Sequence, residues 1–405
     1  MSQLSNLRSQ FPALQQKVNN HPLVYLDSAA TSLKPKAVID RISRFYSYET
    51  ANVHRGAHYL SDRTTVEYES VRQRVQRLLN AKSTEEIIFT SGTTASINLV
   101  ARAYAEQNLK VGDEILLTEM EHHSNIVPWQ MVAEKTGAII QWTRVRADGE
   151  LDMLDFKNKL SEKTKIVSLT HASNTLGTVN NIQSITSQAH AVGAVVVIDA
   201  AQSMTFEKID VQNLNCDFLA FSAHKMYGPY GLGVLYGKKQ HLDKMQPVNG
   251  GGAMIDRVTK AKTTYHVSPY KFEPGTPNIS SVVGFGAALD FIEEIGQPQI
   301  KKHETELLDR TVQLLSQIPR MQMIGASPSR VNVVSFVIEG QHASDIGHLL
   351  DQQGIAVRTG HHCNQVLMDQ FGLTGTVRVS FGVHNSLEDI EVFYKAIAKV
   401  EGMLR

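Results

Sequence analysis

Cysteine is scarce: the 405 residues contain two, Cys216 and Cys363. One pair cannot build a disulfide scaffold, so the sequence points to a reducing compartment and leaves each thiol to be judged singly. An excess of charge of one sign is also lacking. Forty Lys and Arg balance forty Asp and Glu, which removes the global basic field that would draw nucleic acid or an anionic membrane surface. Partners must therefore be recognised locally. No window approaches the roughly 18 uninterrupted apolar residues of a membrane span, and Met1 to Asn20 carries no apolar core of a secretion signal. These absences lead to the expectation of a cytoplasmic protein that binds neither nucleic acid nor membrane. No repeat, low-complexity tract or flexible linker interrupts the chain, so its parts are expected to pack together. A 42% hydrophobic content is enough for a substantial core, and the length suits two or three domains.

From about residue 86 to 236, short apolar runs alternate with longer amphipathic stretches. The runs are EIIFT (Glu86 to Thr90), EILLTE (Glu114 to Glu119), IIQWTRV (Ile139 to Val145), KIVSLT (Lys165 to Thr170), AVVVID (Ala194 to Asp199), DFLAFS (Asp217 to Ser222) and LGVLYG (Leu232 to Gly237). Helical periods lie between most of them, as at Thr93 to Glu106, Ile126 to Thr136 and Ile182 to Val192. Runs apolar on both faces and separated by helices predict an α/β fold with a seven-stranded, mainly parallel sheet covered on both sides. Ligands of such sheets sit at the carboxyl ends of the strands. After Gly296 the rhythm changes: helix Ile300 to Gln317, strand Val331 to Ile338, helix Ala343 to Gln353, strands Ile355 to Thr359 and Thr376 to Phe381, helix Ser386 to Met403. A smaller α+β domain is expected there, formed by residues 1–24 and 296–405, beside a large domain at 25–295.

Three motifs fall at the expected strand ends. Ser91 to Thr94 (SGTT) opens a helix, where unpaired amides and hydroxyls make an anion cradle. Asp199 to Gln202 (DAAQ) ends an apolar strand on a carboxylate. Phe221 to Pro229 (FSAHKMYGP) puts Lys225 on a loop at the same sheet edge, where partial desolvation would supply a neutral amine. Taken singly, these are a helix cap, another cap and a surface lysine. Together they match the needs of pyridoxal phosphate: a lysine for its aldehyde, a carboxylate for its ring nitrogen, and donors for its phosphate at Thr93, Thr94, Ser222 and His224.

Cys363 sits in RTGHHC, where Arg358, His361 and His362 supply positive charge that favours the nucleophilic thiolate. Adjacent histidines point opposite ways on an extended chain and nothing nearby completes four ligands, so no metal is expected. Cys216, at a strand entrance, reads as a small buried hydrophobe. Arg378, a charge within the apolar strand TVRVSFG, is either half of an ion pair or a clamp for a carboxylate.

The stretches VYLDSAAT, NVHRGAH, TSGTTASINLVA, EHHSNIVPWQ, SNTLGT, VIDAAQS, FSAHKMYGP, FEPGTPN and RTGHHCNQ together resemble the class V aminotransferase-like enzymes of pyridoxal phosphate fold-type I. More narrowly they are similar to the cysteine desulfurases of the SUF/CSD group. The resemblance implies a homodimer that converts L-cysteine to L-alanine, leaves a persulfide on Cys363 and passes the sulfur to an acceptor of the SufE or CsdE type. Selenocysteine lyase activity, or a sulfur-relay scaffold with incidental turnover, are the alternatives. It also implies that Lys225 binds the cofactor aldehyde and Asp199 the ring nitrogen, that His122 stacks on the ring, and that Asn174 and Gln202 face its phenolic oxygen. Thr276 would reach the phosphate from the other subunit, Arg378 would take the substrate carboxylate, and Arg358, His54 and Arg55 would line the same cleft. Relatives usually carry Gly where Ala223 stands, and Ala or Thr and Pro at the positions of Asn364 and Val366. The short segment after Gly360 fits the group with the less mobile cysteine loop.

Overall fold

The computed structural model describes residues 7–404. Seven strands form the principal sheet: β1 (Ile87–Thr90), β2 (Glu114–Thr118), β3 (Ile139–Thr143), β4 (Thr164–Thr170), β5 (Val195–Asp199), β6 (Phe218–Ser222) and β7 (Gly233–Gly237). Their order is β1-β7-β6-β5-β4-β2-β3. All neighbours are parallel except β7, which runs antiparallel to both β1 and β6. This is the mainly parallel sheet expected from the sequence, with each of the seven apolar runs in it.

Alternate residues of every strand but the edge strand β3 feed two different cores, which is why those runs look continuously apolar. Phe89, Leu116, Val167, Val196, Leu219 and Val234 pack on one face with helices Tyr59–Leu78, Ile182–Ala191 and Ile279–Ile295. Ile88, Ile115, Leu117, Ile166, Val197 and Ala220 pack on the other with helices Thr93–Val100 and Val127–Thr136.

A second, antiparallel sheet is ordered β8 (Met321–Ile324), β9 (Val333–Ile338), β11 (Thr376–Ser380) and β10 (Arg358–Gly360). Helices Gln297–Leu315, Ala343–Asp351 and Leu387–Met403 share one core with Val377, Val379, Val334 and Phe336. The intervening residue Arg378 must therefore face the other way, toward the principal sheet. The segment Val24–Tyr25 pairs in parallel with Ile355–Ala356, and residues 27–32 then run from the small sheet to the end of β6.

Candidate active site

The carboxyl ends of β1, β4, β5 and β6 open into a cavity of about 220 Å³. Thr93, Thr94, Ser222 and His224 line it, with Asp199, Gln202, Lys225 and His122, and with Asn174, Arg358, Arg378 and Cys363. Helix Thr93–Val100 starts at Gly92, and Thr93 directs its amide and its hydroxyl to Ser222 Oγ at 2.8 and 2.7 Å. Strand β7 passes so close that a Cβ on Gly233 would lie 2.4 Å from Gly92 Cα, so that residue must be glycine. Helix-start amides with three hydroxyls and a histidine form a donor set that fits a phosphate.

Asp199 is 4% exposed, and its Oδ1 accepts the amide of Ala201 at 2.9 Å. Burial raises its carboxyl above the ordinary value, and the field of Lys225 opposes that rise. A buried acid with no ion-pair partner among the described residues fits a cationic ring nitrogen. Burial likewise lowers the Lys225 ammonium from 10.5 to about 8, which brings the neutral amine within reach near physiological pH. His122 falls to about 3 through burial first and Lys225 second, so its ring is neutral and free to lie on an aromatic face. Lys34, absent from the sequence expectations, donates to Ser32 O at 2.6 Å and His224 O at 2.8 Å and pins the lysine loop from behind.

The cysteine loop is held in an unusual conformation. His362 (φ 53°) and Cys363 (φ 59°) are consecutive left-handed residues, which costs roughly 1–2 kcal/mol each. Asn174 Nδ2 donates to His362 O at 2.8 Å and the His123 amide to Cys363 O at 2.8 Å. His362 turns inward to Thr376 Oγ1 at 2.8 Å, while His361 turns outward beside the His123 ring. The two histidines thus diverge as expected. Among the described residues no group of three or more His, Cys, Asp or Glu is placed to hold a metal ion. Cys216 is fully buried, and its thiol is pushed up to about 12 by that burial.

Arg378 and Arg358 are directly opposed on β11 and β10 and share a face. Both turn to Asp27, Arg378 at 3.0 Å and Arg358 at 4.0 Å. Arg378 also donates to Asn174 O at 2.9 Å, and its Nε–H is buried without a partner. Both alternatives left open by the sequence are therefore present: an ion pair and an unspent donor beside the cavity. Burial pushes the Asp27 carboxyl up and the Arg378 guanidinium down, against their mutual attraction.

The family profile named Aminotransferase class-V matches residues 24–393. The chain belongs to that family. A relative from Halalkalibacterium halodurans named "Probable cysteine desulfurase" is 50% identical over 98% of this chain and 97% of its own. One of the same name from Vibrio cholerae is 47% identical over the whole of both. Among solved structures, the cysteine desulfurase CsdA of Escherichia coli superposes with a TM-score of 0.93 at 38% identity, covering 100% of this chain and 99% of that one. The apo cysteine desulfurase of Thermococcus onnurineus superposes with a TM-score of 0.94 at 37% identity, covering 99% of each.

Within this class-V chain, three expected residues lie elsewhere. His54, Arg55 and Thr276 line a separate cavity of about 650 Å³, with Tyr270 and Glu273, and none lines the cavity of Lys225. His54 pairs with Glu69 at 2.8 Å. Placing His54 and Arg55 in the same cleft is thus not met within one copy of the chain. Besides Lys34, two residues that shape the site were missed. Asp27 stood in plain view in VYLDSAAT, and the need of Arg378 for a counter-charge was the signal. Glu121 is wholly buried and takes hydrogen bonds from Thr118 Oγ1 and Asn125 Nδ2. Burial pushes it up to about 8.

Proposed function

We propose that this protein is a pyridoxal phosphate-dependent L-cysteine desulfurase that releases L-alanine and keeps the sulfur as a persulfide on Cys363. The observation that carries the proposal is one cavity lined by Lys225, Asp199, Arg378 and Cys363 together. A lysine-carboxylate pair alone suits many reactions of amino acids; a cysteine lining the same cavity suits removal of sulfur.

Lys225 would hold the cofactor through its aldehyde, Asp199 at the ring nitrogen and His122 on the ring face. Asn174 and Gln202 would face the phenolic oxygen, and Thr93, Thr94, Ser222 and His224 the phosphate. When bound, pyridoxal phosphate supplies a ring that takes up the electron pair left at Cα. Arg378, backed by Arg358, binds the substrate carboxylate through N–H donors fixed by Asn174 and Asp27. Lys225, once free, takes the Cα proton at Nζ. Cys363 Sγ attacks the substrate sulfur: the S–S bond forms, the Cβ–S bond breaks, and a proton replaces sulfur at Cβ. Both thiol sulfurs are oxidised and Cβ is reduced, so the step balances without an outside oxidant. The persulfide then goes to an acceptor protein.

Thr276, with His54 and Arg55, would act across a homodimer: these residues belong to a cavity removed from Lys225 in their own chain, which suits delivery to the site of a second copy. The activity is tested with Lys225→Ala. Loss of both the visible absorbance of the cofactor-lysine bond and alanine formation from cysteine is expected. Undiminished alanine formation would place the chemistry on another group.

A further inference from the structure

Asn364 has a side chain that the proposed reaction does not use. It is fully buried, lies outside the residues lining the cavity, and directly follows Cys363. Its Nδ2 donates to the carbonyl of Met120 at 2.7 Å, and its Oδ1 is buried with no partner. Met120 stands two residues before His122, so this one bond spans 244 positions to join the loop of the sulfur to the loop of the ring-face histidine.

The balance of the amide shows that stability does not explain it. A buried acceptor left without a donor costs at least as much as the hydrogen bond on the other side of the same amide returns. An alanine would remove that orphan and leave the buried Met120 carbonyl without its donor instead, so the amide gains little stability over alanine. What alanine would lose is the tie itself. The remaining large-sheet ties to the loop are Asn174 Nδ2 to His362 O, the His123 amide to Cys363 O, and the Gln365 amide to His123 Nε2 at 3.2 Å. The first comes from a residue that lines the cavity, and the last depends on an unprotonated His123. Asn364 supplies a side-chain tie that neither occupancy nor protonation disturbs, beside the one backbone bond from the His123 amide.

We propose that Asn364 is a positioning residue for Cys363: its amide clasps the cysteine loop to Met120 and keeps the left-handed Cys363 backbone aimed into the cavity. This rests on Cys363 being the sulfur acceptor. The test compares the holoenzyme with its Asn364→Ala variant. Cofactor absorbance should match, because Lys225 is not touched, and the unfolding midpoint should fall only slightly, because the Met120 carbonyl loses its donor while the partnerless Asn364 Oδ1 is removed with it. Backbone amide exchange over residues 361–366 and alkylation of Cys363 by iodoacetamide should each rise about fivefold, the factor of a single net hydrogen bond. Persulfide formed on Cys363 in one turnover should slow by about the same factor. Asn364→Asp keeps the size but turns oxygen toward the Met120 carbonyl, and should move all three readings further the same way. Unchanged exchange and alkylation in both variants would overturn the proposal, as would faster exchange with persulfide formation unchanged. Alanine formation that persists in Cys363→Ser would instead overturn the sulfur-acceptor reading. The two failures are distinguishable because exchange and alkylation do not pass through turnover.

Discussion

Replacing Arg378 by alanine separates recognition of the substrate carboxylate from the chemistry at sulfur. The guanidinium is 2% exposed, with one arm fixed to Asn174 O at 2.9 Å, another to Asp27 at 3.0 Å, and its Nε–H unspent. A charge-assisted hydrogen bond from such a group contributes about 1.5–3 kcal/mol, or roughly 10- to 150-fold in affinity. The KM for L-cysteine should rise by a factor in that range, with a smaller fall in kcat, because Lys225 and Cys363 remain in place. Cysteamine, which has the thiol and amine but no carboxylate, should lose nothing further in Arg378→Ala. The assay is steady-state amine product formation with both substrates. An unchanged KM for cysteine, or an equal loss with cysteamine, refutes the assignment. Stability supplies a second arm. Asp27→Ala leaves a buried guanidinium unpaired, at a cost of about 3 kcal/mol. Arg378→Ala leaves Asp27, whose side chain is 17% exposed and has Arg358 at 4.0 Å. Asp27→Ala should therefore unfold at the lower temperature; the reverse order would contradict the pairing.

The remaining expectations concern the lysine, its carboxylate partner and the two thiols. Because burial lowers Lys225 to about 8, its neutral form grows as pH rises through that value. Recapture of pyridoxal phosphate by cofactor-free protein should quicken with a midpoint near pH 8 and level off above it, whereas a midpoint near the ordinary lysine value of 10.5 would contradict the desolvation. Asp199→Asn should retain cofactor yet form alanine roughly 10- to 150-fold more slowly, the scale of losing one charge-assisted interaction at a reacting group; near-normal turnover would remove Asp199 from the site. Cys363→Ser should keep the cofactor and stop alanine formation from cysteine, while Cys216→Ser, fully buried and away from the cavity, should affect stability alone. The opposite pattern would exchange the roles of the two thiols.

Six strands of the principal sheet were legible because each is apolar on both faces, so a short run announces itself, while the edge strand Ile139–Thr143 is apolar mainly through Ile140 and Trp142 on one face. Met321–Ile324 was missed because Ile324 is its one fully buried residue, and the hairpin Ile255–Val258 with Thr263–Tyr265 because it is largely exposed and polar. The phosphate cradle, Asp199 and Lys225 could be read because each follows a strand that must end at the same sheet edge. Asp27 and Arg378 are 351 positions apart and meet only through the crossing of residues 27–32. No local pattern carries that contact. Nor does a motif tell on which side of the molecule its loop falls, which is why His54 and Arg55 were grouped with a cleft that one copy of the chain does not bring them to.

The central claim is that sulfur leaves the substrate by bonding to Cys363, and a single turnover with sulfur-labelled L-cysteine tests it most directly. The holoenzyme is mixed with a limiting amount of substrate, quenched, alkylated and digested, and the peptide holding Cys363 is weighed. One labelled sulfur on Cys363 for each alanine released is the predicted result, and none on Cys216. Alanine released with all the label as free sulfide and Cys363 unmodified would contradict the account.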